Sequence, residues 1–263
     1  LLKERIRYIL GLVCGQLKSS FYTRYISHLA GVDEPIRKCY YRTKEPDQPA
    51  SNYTFTCEGV SGGKGAIRWD EGVSPVWNSR CFTPIACNYC DDVFAEVADV
   101  TFMDAWLPDY SKDPKGTSLV LVRNPELHPL LEGVPKKVAD LKPIPVLDVI
   151  RSQSGVLKVK RSHLAFRVHK AIVKGKEIPK KRVNPDRFPF PLLLRKEIVI
   201  LDNLQSLSRR MVPEEDEGRI PLQEVRSQVN RHLSSLDKVR KSMQLVRLPF
   251  RILRKIRKVF GES

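Results

Sequence analysis

The chain has 263 residues, enough for one large domain or two small ones around a real hydrophobic core. With 41% hydrophobic and 29% charged residues it has the composition of a soluble globular protein. No apolar run approaches the roughly 20 residues of a bilayer-spanning helix.

The formal charge of +16 is unevenly placed: residues 1–150 hold 18 Lys/Arg against 19 Asp/Glu, whereas residues 151–263 hold 28 against 11. Such asymmetry suggests either a basic surface for an acidic partner, anionic lipid or nucleic acid, or a solvated helical tail.

In chain order, residues 1–30 read as helical, interrupted by Gly11-Leu12-Val13-Cys14-Gly15-Gln16. The chain opens on Leu1 inside that expected helix, so we read it as the later part of a longer protein. Lys3, Glu4, Arg5 and Arg7 argue against a signal peptide, and a cytoplasmic location is expected. Tyr40–Thr43 and Tyr53–Cys57 alternate like short strands, separated by a Pro-containing loop. Ser61-Gly62-Gly63-Lys64-Gly65 reads as a tight turn, with neither a phosphate-loop nor a dinucleotide spacing. Val97–Phe102 and Ser118–Arg123 are the best strand candidates, with a loop between them.

The expected fold is therefore α+β, a mixed sheet with flanking helices over residues 1–150. A mainly helical basic extension follows, divided into a Pro-containing connecting region at 151–220 and a helical amphipathic tail at 221–263. In that tail Leu222, Val225, Val229, Leu233, Leu236, Val239, Met243 and Val246 recur at steps of three and four. Such a stripe packs either on the body of the protein or on a partner helix, which makes residues 221–247 a candidate oligomer contact. After Pro249, apolar and basic residues alternate as a short amphipathic helix suited to the inner face of an anionic membrane.

All six cysteines fall within the first 90 residues. Without an export signal, close spacing such as Cys87-Asn88-Tyr89-Cys90 points to metal binding or catalysis more than to disulfides. A structural zinc site generally wants a second CxxC or a His pair, and neither is present. A thioredoxin-like pair sits at a strand-to-helix turn, whereas this one follows Thr83-Pro84-Ile85-Ala86 and precedes acids. An iron–sulfur cluster remains, because its thiolate ligands are often dispersed along the chain.

Several segments in order carry a resemblance. They are Gly11-Leu12-Val13-Cys14-Gly15-Gln16-Leu17-Lys18-Ser19, Tyr41-Arg42-Thr43-Lys44, Cys87-Asn88-Tyr89-Cys90-Asp91-Asp92, Asp104-Ala105-Trp106-Leu107-Pro108 and Gly116-Thr117-Ser118-Leu119-Val120-Leu121-Val122-Arg123. Together they resemble the coenzyme F420 hydrogenase/dehydrogenase beta subunit family, in particular its C-terminal domain, over roughly residues 1–150. The Asp104–Pro108 segment looks most like a bacterial, polysaccharide-associated branch. The resemblance implies FAD and a [4Fe-4S] cluster, with F420 or another small molecule as acceptor, or a redox partner protein. It implies Cys14, Cys87 and Cys90 as cluster ligands, the fourth coming from an upstream Pro-Cys motif or from Cys81. Lys18, Ser19, Arg42 and Lys44 are candidates for holding flavin or substrate phosphates, and Asp104, Trp106, Thr117 and Ser118 for lining the flavin pocket. Cys39 and Cys57 read as buried apolar thiols.

One position departs from the family pattern: Met103 stands where the family carries Gly before Asp-Ala-Trp. Met103, together with the expected missing upstream part, motivates a second reading, a non-catalytic scaffold or assembly protein that kept the fold. Nucleic-acid binding is the weakest reading, since no recognised module accompanies the basic charge.

Overall fold

The computed structural model describes residues 4–189, 192–210 and 222–259, with side chains of the last helix described through residue 245. The six strands are β1 (Leu10–Leu12), β2 (Ile36–Thr43), β3 (Thr54–Gly59), β4 (Lys64–Arg68), β5 (Val100–Asp104) and β6 (Ser118–Val122). They form two three-stranded sheets, β1-β5-β6 and β2-β3-β4. The first is mixed, with β1 parallel and β6 antiparallel to β5; the second is antiparallel throughout. Helices α1 (Ser20–Leu29), α2 (Val73–Asn78), α3 (Pro108–Ser111) and α4 (Leu127–Glu132) accompany them. The later part is helical: α5 (Val146–Ser152), α6 (Ser154–Lys158), α7 (Leu164–Val173), α8 (Leu193–Arg210) and α9 (Leu222–Val259). A π-helical turn, Val159–His163, joins α6 to α7. The chain is thus α+β, as its sequence pattern indicates.

The first twelve residues correct the helical reading. No helix forms over residues 4–12, and residues 1–3 lie outside the described chain. The backbone is taken instead by β5 and the turn before it. Ile9 N–H donates to the Asp99 carboxylate at 2.7 Å, Asp99 N–H donates to the Ile9 carbonyl at 2.8 Å, and Val13 N–H donates to the Phe102 carbonyl at 3.0 Å. Gly11 permits this approach, because a Cβ there would stand 2.5 Å from Ala95 Cβ and 2.9 Å from Ala98 Cβ.

The strand expected over Val97–Phe102 begins three residues later. Ala95, at φ +47°, and the Ala98 N–H to Ala95 carbonyl bond form a turn there. The turn expected around Ser61–Gly65 forms with Gly62 at φ +93°, but it opens directly into β4, a strand the composition hides because Gly65 interrupts it. That glycine is required by α1, beyond whose end the Ala30 carbonyl would lie 2.5 Å from an added Cβ.

One core cluster spans both halves of the sequence. Tyr22, Tyr25 and Ile26 of α1, Phe55 of β3 and Val73 and Val76 of α2 pack with Leu201 and Leu204 of α8 and Val225, Val229 and Leu236 of α9. From Val225 to Met243 the apolar stripe of α9 therefore packs within the chain itself, on α8 and the body. The helix continues through Pro249 to Val259, and the side chains of the expected membrane-facing segment lie outside the described residues.

Because Leu204 is fully buried between the two halves, Leu204→Ala should lower stability by about 2–5 kcal/mol, measured as one cooperative transition in denaturant. A separate, unshifted transition of residues 1–150 would contradict a shared core. Gly11→Val should cost about 1–3 kcal/mol through overpacking against Ala95 and Ala98, read by the same measurement.

Candidate cluster and cofactor site

Cys14 leaves β1 on the side facing the loop that carries the CxxC pair. Cys14, Cys87 and Cys90 line one cavity of about 120 Å³ together with Gln16, Asp92 and Lys160. All three thiols are free; Cys14 is exposed, and Cys87 and Cys90 are partly buried. Two donors point at sulfur: Leu17 N–H approaches Cys87 Sγ at 3.4 Å, and Lys160 Nζ approaches Cys90 Sγ at 3.3 Å. Among the described residues no group of three or more His, Cys, Asp or Glu side chains is arranged to hold a metal ion. The thiols border a space instead, and that donor set, with cationic and amide donors aimed at it, fits an anionic thiolate-ligated cluster. Cys81 is elsewhere: fully buried, it accepts a hydrogen bond from Ser79 Oγ at 3.1 Å and does not line this cavity.

The candidate flavin and phosphate residues gather around two further cavities. Lys18 and Ser19 line a space of about 480 Å³ walled by Tyr22, Tyr53, Trp69 and Trp77, a size and lining usual for a cofactor or small-molecule pocket. Arg42 borders this space and also a smaller one of about 130 Å³, where Lys44, Asp104, Trp106, Thr117 and Ser118 converge. Arg42 stacks over Tyr53 and pairs with Asp104 at 2.9 Å. Ser19 Oγ is buried without a hydrogen-bond partner among the described residues, an orphaned hydroxyl at a pocket wall that suits a polar ligand atom.

The cysteine cavity and the aromatic cavity are neighbours through shared bonds. Gln16, which lines the first, donates to the Trp77 carbonyl at 2.6 Å and accepts from Thr83 Oγ1 at 3.1 Å. Lys18, which lines the second, donates to the same carbonyl at 3.0 Å, to Thr83 Oγ1 at 3.1 Å and to the Cys81 carbonyl at 2.7 Å. Its ammonium also lies over the Trp77 and Tyr22 rings. Burial in this setting pulls the Lys18 pKa down to about 7, with the nearby Arg80 adding to the effect.

Met103 stays away from all three spaces. It is buried with Ala105 and Leu119 in a separate apolar cluster, on the opposite face of β5 from Asp104.

The loop carrying the thiols is held by residues that no motif announced. Gln205 of α8 donates to the carbonyls of Thr83 (2.8 Å) and Pro84 (3.0 Å) and accepts from the Asn88 amide. Ser208 accepts from Phe82 N–H at 2.7 Å. Arg161 donates to the Asp91 carbonyl at 2.6 Å, and Arg182 pairs with both Asp91 and Glu96. Burial would raise the Asp91 pKa, but the Arg182 N–H together with Lys181 and Arg182 outweighs it and holds the carboxyl below its usual range. These partners stand 65 to 126 residues from the loop in sequence, in the stretch that the sequence pattern marks only as a basic connecting region.

Comparison with curated proteins finds no match. The family described as the C terminus of the coenzyme F420 hydrogenase/dehydrogenase beta subunit matches residues 1–146. The matched segment contains the three cavity thiols and every candidate cofactor residue, whereas Lys160, Arg161, Gln205 and Ser208 lie beyond it. Its extent, more than half the chain, agrees with the order of motifs and with the mixed sheet that brings Cys14 to the CxxC pair. The chain belongs to this coenzyme F420 hydrogenase/dehydrogenase beta-subunit family.

Proposed function

We propose that the protein is a flavin- and iron–sulfur-dependent oxidoreductase acting on a small-molecule acceptor or a redox partner protein. The observation that carries this reading is the adjacency of the cavities. Three motif thiols border one, candidate cofactor residues border two others, and Gln16 and Lys18 tie the first to the second through Trp77 and Thr83. A cluster supplies single-electron transfer and a flavin converts between one- and two-electron chemistry, so the value of the pair lies in their proximity.

The chain's own groups have definable tasks. Cys14, Cys87 and Cys90 would ligate the cluster, with a fourth donor from outside the residues gathered here. The aromatic rings would give a planar ligand an apolar wall in the larger cavity, and Arg42, with Lys44 in the adjoining smaller one, would hold phosphate oxygens at its edge. Lys18, poised between amine and ammonium near neutral pH, would take up or release a proton at the cavity wall. Met103 packs in the apolar cluster with Leu119 and lines none of the three cavities, which supports the catalytic reading over the scaffold alternative.

Two experiments test the reading. After anaerobic reconstitution with iron, sulfide and FAD, the wild type should show both cluster and flavin absorbance. Cys87→Ser should lose most of the cluster absorbance, while Cys57→Ser, a change in the buried face of β3, should keep it. Equal behaviour of the two variants, or a colourless wild type, would reject the assignment.

The second concerns Lys18. An amine whose pKa falls on folding binds fewer protons in the folded than in the unfolded state between about pH 7 and its ordinary value near 10.5. Its contribution to stability therefore rises with pH across that window. Lys18→Met removes this dependence, so the melting temperature of the variant relative to wild type should be most favourable at pH 7 and below and should decline toward pH 10. A pH-independent difference would mean that the amine is not desolvated.

A further inference from the structure

We propose that Lys160, from outside the family-matched segment, is the charge-compensating residue of the cysteine site and sets its reduction potential; this rests on the cluster reading above. Lys160 is only 4% exposed, and lysine is rarely so buried without a paired charge. Its basic neighbours in the chain have carboxylates: Arg161 reaches Glu96, and Lys158 reaches Glu197. Lys160 has none within ion-pair distance among the described residues. Its ammonium meets Cys90 Sγ at 3.3 Å and the carbonyl of Asp92.

A buried cation without a counter-charge is strongly unfavourable. The Asp92 carboxylate also lines this cavity but accepts from Glu96 N–H and makes no ion pair with Lys160, so the negative charge that the ammonium contacts is the Cys90 sulfur, whether as thiolate or as part of an anionic cluster. Arg80 repeats the pattern: it is 4% exposed, its Nε donates to Asn88 within the CxxC pair at 2.9 Å, and its Nη2 has no partner among the described residues. Two buried cations beside the same two cysteines thus have no carboxylate within ion-pair distance among the described residues.

The local backbone explains how Lys160 reaches the site. It lies on the π-helical turn Val159–His163, where one extra residue per turn breaks the regular face of α6 and α7. Such turns are frequent at functional sites because they re-aim a side chain.

One-electron reduction of a cluster forms and breaks no bond to protein and adds one negative charge to the site. A fixed cation 3.3 Å from a ligand sulfur favours the reduced form and raises the potential, through net charge and through hydrogen bonding to sulfur. The test is a dithionite-driven redox titration, followed by electron paramagnetic resonance, of the full chain reconstituted anaerobically with iron and sulfide. Lys160→Gln keeps a donor without the charge, Lys160→Met removes both, and Lys160→Arg keeps the charge. The midpoint should fall in the Gln and Met variants and stay near wild type in the Arg variant, at equal iron and sulfide content. A Gln variant that titrates like wild type, or an Arg variant that falls with the others, overturns the proposal while leaving the cluster reading intact. A wild type that takes up no cluster overturns both.

Discussion

The structure turns on how the cysteine loop is gripped from the far end of the chain. Residues Arg80 to Glu96 contain no regular element beyond a short 3-10 turn at Ile85–Asn88, and Arg80, Phe82 and Ala95 all have positive φ. A backbone of this kind costs free energy at each such residue and persists where its surroundings over-determine it. Here the surroundings are α8 and the π-helical turn. Gln205 satisfies two carbonyls and one amide of the loop, Ser208 a third backbone group, and Lys160, Arg161 and Arg182 the acidic end. These bonds are available only because Leu201 and Leu204, on the same helix, are locked into the core that also contains Tyr25 and Phe82. Packing of one helix thus fixes both the core and the geometry of the thiols.

The same arrangement changes the meaning of the basic second half. Its surplus of Lys and Arg invites a search for an acidic partner, and several of those cations are also engaged internally. Glu197, 3% exposed in its side chain, is held between Lys158 at 2.7 Å and Arg240 at 2.9 Å. Burial alone would raise its pKa, but these two partners more than offset it. Arg167 meets Asp202 at 2.8 Å, and Arg182 meets Asp91 and Glu96 of the neutral half. Charge asymmetry along a sequence measures composition, whereas the field at a surface depends on which charges find partners.

What could be read from the sequence was local. The CxxC spacing, the α9 stripe and β2, β3 and β6 are each carried by residues close in the chain, and these strands and this helix lie where local pattern indicates, whereas Lys18-Ser19 and Arg42–Lys44 were singled out by the family resemblance. The N-terminal strand was not legible, because three residues of β1 have no periodicity of their own and owe their conformation to Asp99 and Phe102, some 90 residues away. Nor was Lys160, a lysine in a basic segment whose distinction is burial against a sulfur rather than any feature of its neighbours. Gln205 and Ser208 look like ordinary polar positions on an amphipathic helix, and their role depends on a loop 117 to 126 residues earlier.

The misread strand is also the one on which the site depends. A helix over residues 1–12 would advance about 1.5 Å per residue and would leave no reason for Cys14 to meet a loop beginning near residue 80. As a strand, β1 is registered on β5, with Leu10 opposite Val100 and Leu12 opposite Phe102. Ile9 is pinned at both backbone groups by Asp99. The segment that follows then emerges beside the turn at Ala95 and runs along the cysteine loop, so that Cys14, Gln16, Leu17 and Lys18 meet Cys87, Thr83 and Trp77 in succession. Gly11 is the hinge of this logic, since any side chain there would separate β1 from Ala95 and Ala98 and carry Cys14 away from the other two thiols. The motif cysteine is thus placed by a glycine three residues earlier, and the thiol site is as much a product of sheet register as of the CxxC pair.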